Sequence, residues 1–599
     1  MFKTSVIAIF ALGIGLSAGS AQQAADTVAP EATTPMIEAF SGLSSVAKAA
    51  MKAKQQGQPV KSKDWMIAAA NPLAVEAGAR VLRNGGSAAD ALIAVQAVLG
   101  LVEPQSSGLG GGAFLVWYDA QSGKVTTLDG RETAPADVTP TLFQDENGEP
   151  LKFFDAVVGG RSVGTPGTPM LLEEAHKRWG NKVWSGLFED AIALANDGFA
   201  VSPRLAGLVA NDADRLARFA TSAAYFLPGG QPLQAGSILK NPDYAATLTA
   251  LANGGARAFY EGEIAADIVA TVTAAKGNPG VLSTRDLANY RIKEREPVCV
   301  DYRAHEVCGM GPPSSGALTV GQILGLIASS DVAASSPQDT DVWRIIGDAE
   351  RLAFADRGRY MADSDFVPMP VKGLVDPAYL AARAKLLDGD RALESVAPGM
   401  PEFDHAMLLA DDEAMELPST SHISIVDAMG NALSMTTTIE NGFGSRLMAR
   451  GFLLNNELTD FSFRTHKDGV PIANRIEPGK RPRSSMAPTI ILKDGKPVLI
   501  VGSPGGSSII GYVAQTIINV LDWGMDVQSA VSAPHLNNRF GTFELEAGTS
   551  AATLQSDFEA LGFKVVTKEM NSGLHAIAIS PEGLSGAADP RREGIALGQ

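Results

Sequence analysis

Pro418-Ser419-Thr420-Ser421-His422-Ile423-Ser424-Ile425-Val426-Asp427 joins two textures of chain. Before it, residues 396–419 carry Asp404, Asp411, Asp412, Glu413 and Glu416 with little periodicity, and read as an exposed, flexible segment. After it, 423–426 reads as a strand. The turn signal Asp427-Ala428-Met429-Gly430-Asn431 pairs that strand with a second one over 432–438. A threonine at such a join has a specific chemical use. If the chain is cut on its amino side, one residue supplies a hydroxyl nucleophile and, through its freed α-amine, a general base.

Residues further along can serve that nucleophile. Thr436-Thr437-Thr438 lies on the paired strand, where a hydroxyl can orient Thr420. Leu454-Asn455-Asn456-Glu457-Leu458-Thr459-Asp460-Phe461 sets Glu457 and Asp460 three positions apart, a spacing suited to clasping an ammonium. Arg483-Ser484-Ser485-Met486 offers two hydroxyls. Gly502-Ser503-Pro504-Gly505-Gly506 precedes a helix over 507–521, so its N–H groups are candidates for an oxyanion hole. Each stretch alone reads as a turn or a hydroxyl-rich strand; their order gives them joint meaning.

The rest of the chain supplies a frame. Asn71-Pro72 is an N-cap and N1 pair for a helix to about residue 83, and Ser87 caps a second helix. Strands are expected over 113–118, 125–128, 488–492, 497–501, 564–567 and 576–579, with helical patterns through 165–390. Strand pairs, a helical layer and more strands fit an α+β fold, an αββα sandwich of two stacked sheets between helices.

The 599 residues are 45% apolar and 19% charged, enough for a large core, and the net charge of −17 argues against a nucleic-acid partner. Residues 1–21 read as a secretory signal: Lys3, an apolar run from Val6 to Leu16, and Gly19-Ser20-Ala21. That run is too short for a stable membrane span, and a periplasmic or secreted protein is expected. Residues 22–60 read as a mobile arm. Cys299 and Cys308 face each other across a hairpin centred on Arg303-Ala304, either as a disulfide or as two buried thiols.

Two motifs are discounted. Gly108-Leu109-Gly110-Gly111-Gly112-Ala113 has a dinucleotide-binding spacing but follows a helix and opens a strand, the reverse of the required order. Gly160-Arg161-Ser162-Val163-Gly164 has a nucleophile-elbow spacing, but Thr165-Pro166-Gly167 follows it and not a helix. The seven histidines show no paired-ligand spacing. Neither metal nor cofactor is expected.

Across almost its whole length the chain resembles the γ-glutamyltranspeptidases, or glutathione hydrolases. The resemblance rests on Asn84-Gly85-Gly86-Ser87, Gly108–Gly112, Gly164-Thr165-Pro166-Gly167, Pro312-Pro313-Ser314-Ser315-Gly316, the motifs after Thr420, and Gly586-Ala587-Ala588-Asp589-Pro590-Arg591. It implies the N-terminal-nucleophile hydrolase fold, built from both parts of a self-cleaved precursor: a large subunit, 61–419 behind its arm, and a small one, 420–599. It implies transfer of γ-glutamyl groups from glutathione and similar donors to water, amino acids or peptides through an ester on Thr420. By the same resemblance Thr438 supports the nucleophile, and Gly505 and Gly506 form the oxyanion hole. Arg131, Ser484 and Ser485 receive the α-carboxylate, and Glu457 and Asp460 the α-ammonium.

The chain departs from the family pattern in three places. Glu440 stands where an asparagine usually helps bind the ammonium, Ser421 follows the nucleophile in place of threonine, and the stretch between Asp460 and Ser484 is short. The related cephalosporin and glutaryl acylases, of the same fold, are the nearest alternative. A serine hydrolase using Ser162 and a non-catalytic periplasmic binding protein are more distant ones.

Overall fold

A computed structural model describes residues 40–405, 408–412, 414 and 416–599. The expected signal, 1–21, and residues 22–39 of the arm lie outside the described residues.

Two seven-stranded antiparallel sheets form the centre. In the first, the order is Ile595–Gly598, Met66–Ala69, Thr420–Val426, Ala432–Thr438, Gly112–Tyr118, Val125–Gly130, Lys293–Arg295. In the second it is Val60–Ser62, Gly583–Ala588, His575–Ser580, Lys496–Gly502, Thr489–Lys493, His305–Gly309, Val298–Tyr302. The strand beginning at Thr420 is therefore central, between a strand from before residue 100 and one from after residue 430. Thr420 pairs with Thr438, and Thr438 with Gly112 on the next strand.

The period-two alternation of strands explains the layering. Ile423, Ile425, Leu433 and Met435 turn to one side, where they pack with the helices Pro72–Arg83 and Ala88–Val102. Met66, Ala68, Val116, Val426, Ile490, Ile500 and Ile577 fill the space between the sheets. Ile491, Leu499 and Val501 face the helices Gly316–Ile327, Thr340–Tyr360 and Ile509–Leu521. Helices, sheet, sheet, helices is the expected αββα sandwich. The helix Ala88–Val102 is buried along its full length, as its apolar sequence requires, and Ser87 and Asp90 close its start as a reciprocal capping box.

Local chemistry sets the hairpins. Asp427 accepts from the N–H groups of Met429 and Asn431, which closes the turn after the strand Thr420–Val426. Arg303 and Ala304 both have positive φ, the two-residue turn that aligns Cys299 with Cys308; the two are joined as a disulfide. The glycines at 110–112 permit close approach. A Cβ on Gly111 would lie 1.9 Å from the Thr438 carbonyl oxygen, and one on Gly110 would lie 2.1 Å from that of Leu453.

Two expectations are corrected. Within the supposed mobile arm, Ser45–Gln55 is a helix with Ala47, Ala50, Met51 and Lys54 buried, and Val60–Ser62 is an edge strand. Lys54 Nζ donates to the Arg592 carbonyl at 2.8 Å, a tie across nearly the whole chain that local pattern cannot reveal. The acidic segment before Thr420 is not exposed throughout either: Glu416, Leu417 and Ser419 are buried. No helix of the described residues is long and apolar enough to cross a membrane.

Candidate active site

One pocket is lined by Thr420, Thr438, Glu440, Arg131, Glu457, Asp460, Ser484, Ser485 and Gly506, together with Glu416 and Leu417 from the segment before Thr420. Nine of the ten residues singled out from sequence thus meet in one place. The tenth, Gly505, adjoins Gly506 in the turn that precedes the helix Ile509–Leu521. Both glycines have positive φ, and a Cβ on Gly506 would lie 2.9 Å from the Glu416 carbonyl oxygen, so only glycine lets this turn approach the strand entering Thr420.

The peptide bond between Ser419 and Thr420 is held from several sides. Thr438 Oγ1 donates to the Ser419 carbonyl at 2.9 Å and accepts from the Glu440 N–H at 2.8 Å. Arg592 Nη1 donates to the Thr420 carbonyl at 3.1 Å, and Ser419 Oγ to the Gln105 carbonyl at 2.7 Å. Register places Thr438 here: it is directly opposite Thr420 at the open end of the hairpin.

Arg131 leaves the end of the strand Val125–Gly130 and is buried. Its guanidinium pairs with Glu457 and Asp460, and it donates to the carbonyls of Pro482 and Arg483 at 3.2 and 2.9 Å. Glu132 Oε2 is 3.9 Å from Arg131 Nη1. Burial alone would lower the Arg131 pKa; Glu457, Asp460 and Glu132 outweigh it and raise the pKa. Glu457 Oε2 and Asp460 Oδ1 have no hydrogen-bond partner although buried. Such atoms are costly unless something cationic meets them.

Glu440 sits at positive φ directly after Ile439, and its carboxylate accepts from Asn456 Nδ2 and, at 3.2 Å, from the Leu417 N–H. Burial, then the neighbouring Asp460 and Glu457, push its carboxyl well above the usual range. Burial does the same for Asp460. Ser484 Oγ accepts from the Met486 N–H at 3.1 Å. Ser485 Oγ donates to Glu416 and accepts from Arg357 Nη2 at 2.7 Å. Glu416, Arg357 and Asn456 were not found from sequence. Asn456 lies inside a quoted motif, though without a role of its own there, whereas Arg357 lies on a long helix with nothing local to distinguish it.

The discounted motifs stay outside this site. Ser162 is buried and its hydroxyl donates to the Val157 carbonyl at 2.6 Å, so the serine-hydrolase reading has no free nucleophile. Gly108–Gly112 joins a helix to a strand, and its glycines serve the backbone contacts described above.

The family model for gamma-glutamyltranspeptidase matches residues 74–599. The chain is 38% identical over 549 residues to the glutathione hydrolase proenzyme of Bacillus subtilis strain 168, covering 90% of this chain and 92% of that one. It is 35% identical over 546 residues to the acylase ACY 1 proenzyme of Pseudomonas sp. strain SE83, covering 90% and 94%. Among solved structures, the cephalosporin acylase from Bacillus halodurans superposes with a TM-score of 0.79 at 26% identity, covering 90% of this chain and 97% of that one.

Proposed function

The chain belongs to the γ-glutamyltranspeptidase family, enzymes of the N-terminal-nucleophile type, and we propose how its own residues carry out the family's reaction. The protein is made as an exported precursor, loses residues 1–21, and cuts itself between Ser419 and Thr420. The large part, 22–419, and the small part, 420–599, stay interleaved in one sandwich. Thr420 then moves γ-glutamyl groups from glutathione and related donors to water, amino acids or peptides. The observation that carries this reading is the Thr438 hydroxyl on the Ser419 carbonyl, 2.9 Å away, inside a pocket with buried acids that lack partners.

Self-cleavage follows from that contact. Thr420 Oγ attacks the Ser419 carbonyl carbon while Thr438 Oγ1 stabilises the oxygen. The C–N bond breaks, the nitrogen takes the hydroxyl proton, and Ser419 is held as an ester on Thr420. Water hydrolyses the ester to the Ser419 carboxylate, the Thr420 hydroxyl and a free α-amine.

In turnover that amine is the base, with an ordinary pKa of about 7.7–8.0, usable near neutral pH. It takes the hydroxyl proton as Thr420 Oγ attacks the donor's γ-carbonyl. Gly505 and Gly506 N–H groups receive the oxyanion; one such donor is typically worth ~2.7–4 kcal/mol of barrier. The protonated amine then gives its proton to the departing nitrogen. Water or an acceptor amine resolves the ester. Glu457, Asp460 and Glu440 meet the donor's ammonium, and Arg131, Ser484 and Ser485 its α-carboxylate.

A glutaryl or cephalosporin acylase is the second reading, favoured by the 35% identity to an acylase proenzyme. The test is hydrolysis of matched γ-glutamyl and glutaryl anilides by the purified enzyme and by Thr420→Ala. Faster turnover of the γ-glutamyl compound, abolished by Thr420→Ala, is expected. Faster turnover of the glutaryl compound makes the protein an acylase, and activity that survives Thr420→Ala removes the nucleophile.

A further inference from the structure

Glu416 lies four residues before Thr420, and its carboxylate is buried in the pocket. It pairs with Arg357, accepts from Ser485 Oγ, and lies 3.5 Å from Arg483 Nη2. The next residue along, Leu417, points its N–H at Glu440. One carboxylate and one N–H donor, on adjoining residues, thus occupy a serine of the expected carboxylate site and an acid of the expected ammonium site. A γ-glutamyl donor carries a carboxylate and an N–H-donating ammonium on a single carbon.

The three arginines nearby are not equivalent. Arg131 keeps Glu457 and Asp460, and Arg483 keeps Asp412 at 2.9 Å. Arg357 has Glu416 as its single ion-pair partner among the described residues; it also donates to the hydroxyls of Ser315, at 2.8 Å, and Ser485, and lies over the Phe354 ring. It is 4% exposed. Cutting before Thr420 frees 416–419 as the tail of the large part. Arg357 lies behind Glu416, which lines the pocket with Ser485. Whenever that tail leaves, the guanidinium and the serine hydroxyl lose their carboxylate, and a buried cation without its partner is strongly disfavoured.

We propose that Arg357, with Ser485, is a seat for the donor's carboxylate, and that Glu416 fills this seat as an internal stand-in until the chain is cut. Arg131 then reaches the carbonyl of Arg483 and Arg357 the hydroxyl of Ser485, the two residues that flank Ser484. The precursor is closed to donors because its own chain holds their place. This inference rests on the proposed γ-glutamyl chemistry only for the identity of the donor.

The test uses the mature enzyme and two anilides that differ only in the carboxylate, γ-glutamyl and γ-aminobutyryl. Arg357→Gln lowers the ratio of kcat/KM for the first over the second by about tenfold or more, the range of a lost charge-assisted hydrogen bond, and Arg357→Lys falls between. If both donors lose activity together and the ratio is unchanged, Arg357 is structural and the proposal is overturned. A second arm does not need the variant to fold or to cut itself. Acetyl-Glu-Leu-Pro-Ser should compete with the donor on the wild-type enzyme about tenfold more tightly than acetyl-Gln-Leu-Pro-Ser. Equal inhibition by the two peptides also overturns the proposal. If the wild-type enzyme prefers a glutaryl donor, the γ-glutamyl reading fails while the seat is still tested, by the glutaryl to butyryl ratio in the same variants.

Discussion

Thr438 Oγ1 donates to the carbonyl oxygen of Ser419, on the acyl side of the bond whose nitrogen belongs to Thr420. The strand register that pairs Thr420 with Thr438 fixes this contact. An N–H or O–H donor at a developing oxyanion is worth about 10²–10³ in rate. Thr438→Ala should therefore cut itself on the order of 100-fold more slowly than wild type, with Thr438→Ser largely restored. Time courses of the precursor on denaturing gels measure this. Unaltered cleavage in Thr438→Ala would show that the hydroxyl is not used.

In the proposed mechanism Arg131 serves the donor, and in the structure it serves the fold by pairing with Glu457 and Asp460. A charge-assisted bond to the α-carboxylate contributes ~1.5–3 kcal/mol, so Arg131→Ala should lose roughly one to two orders of magnitude in kcat/KM for a γ-glutamyl anilide. The same change leaves Glu457 and Asp460 buried without their cation, at a cost of about 3–5 kcal/mol in stability. Activity equal to wild type would remove Arg131 from donor recognition; an unchanged melting temperature would contradict the buried pairing.

Under the proposed function Glu440 bears on donor choice. With Glu457 and Asp460 it sets three acids of the small part in one pocket, beside Glu416 of the segment before the cut. A γ-glutamyl donor brings an ammonium to them, whereas a glutaryl donor sets its own carboxylate against acids that share the single guanidinium of Arg131. Glu440→Asn should reduce the γ-glutamyl to glutaryl ratio of kcat/KM, and an unchanged ratio would mean that this side chain does not face the donor.

The same residue makes a pH prediction. Burial, then Asp460 and Glu457, raise the Glu440 pKa above its unfolded value. The native state therefore holds a proton that the unfolded state releases near pH 4.3. Stability present below that pH is lost as pH rises towards the raised folded value, by ~1.4 kcal/mol per pH unit. In uncut Thr420→Ala protein, Glu440→Gln should raise the melting temperature more at pH 8 than at pH 5. An equal change at both pH values would show Glu440 already ionised.

Much of this arrangement is written locally in the chain. The turn Asp427–Asn431 and the alternation beyond it specify the hairpin, and with it the facing threonines. The Glu457–Asp460 spacing is legible because both acids fall within one short helical turn, Glu457–Asp460. What sequence misjudged depends on distant partners. Glu416 reads as a solvated acid because its cation, Arg357, lies 59 positions earlier on another layer. The helix Ser45–Gln55 reads as a loose arm because Lys54 is anchored on the carbonyls of Arg592 and Gly594. Local composition reports polarity, and burial of a polar residue is decided by the partner that compensates it.

The central claim is that Thr420 becomes a free N-terminus by its own chemistry. Intact-mass measurement with N-terminal sequencing of the purified protein tests it most directly. The account predicts a small fragment of 599 − 419 = 180 residues that begins with Thr420, and a Thr420→Ala protein that stays one chain. A Thr420→Ala protein that still splits at this bond, or a wild-type enzyme that is active while uncut, would contradict it.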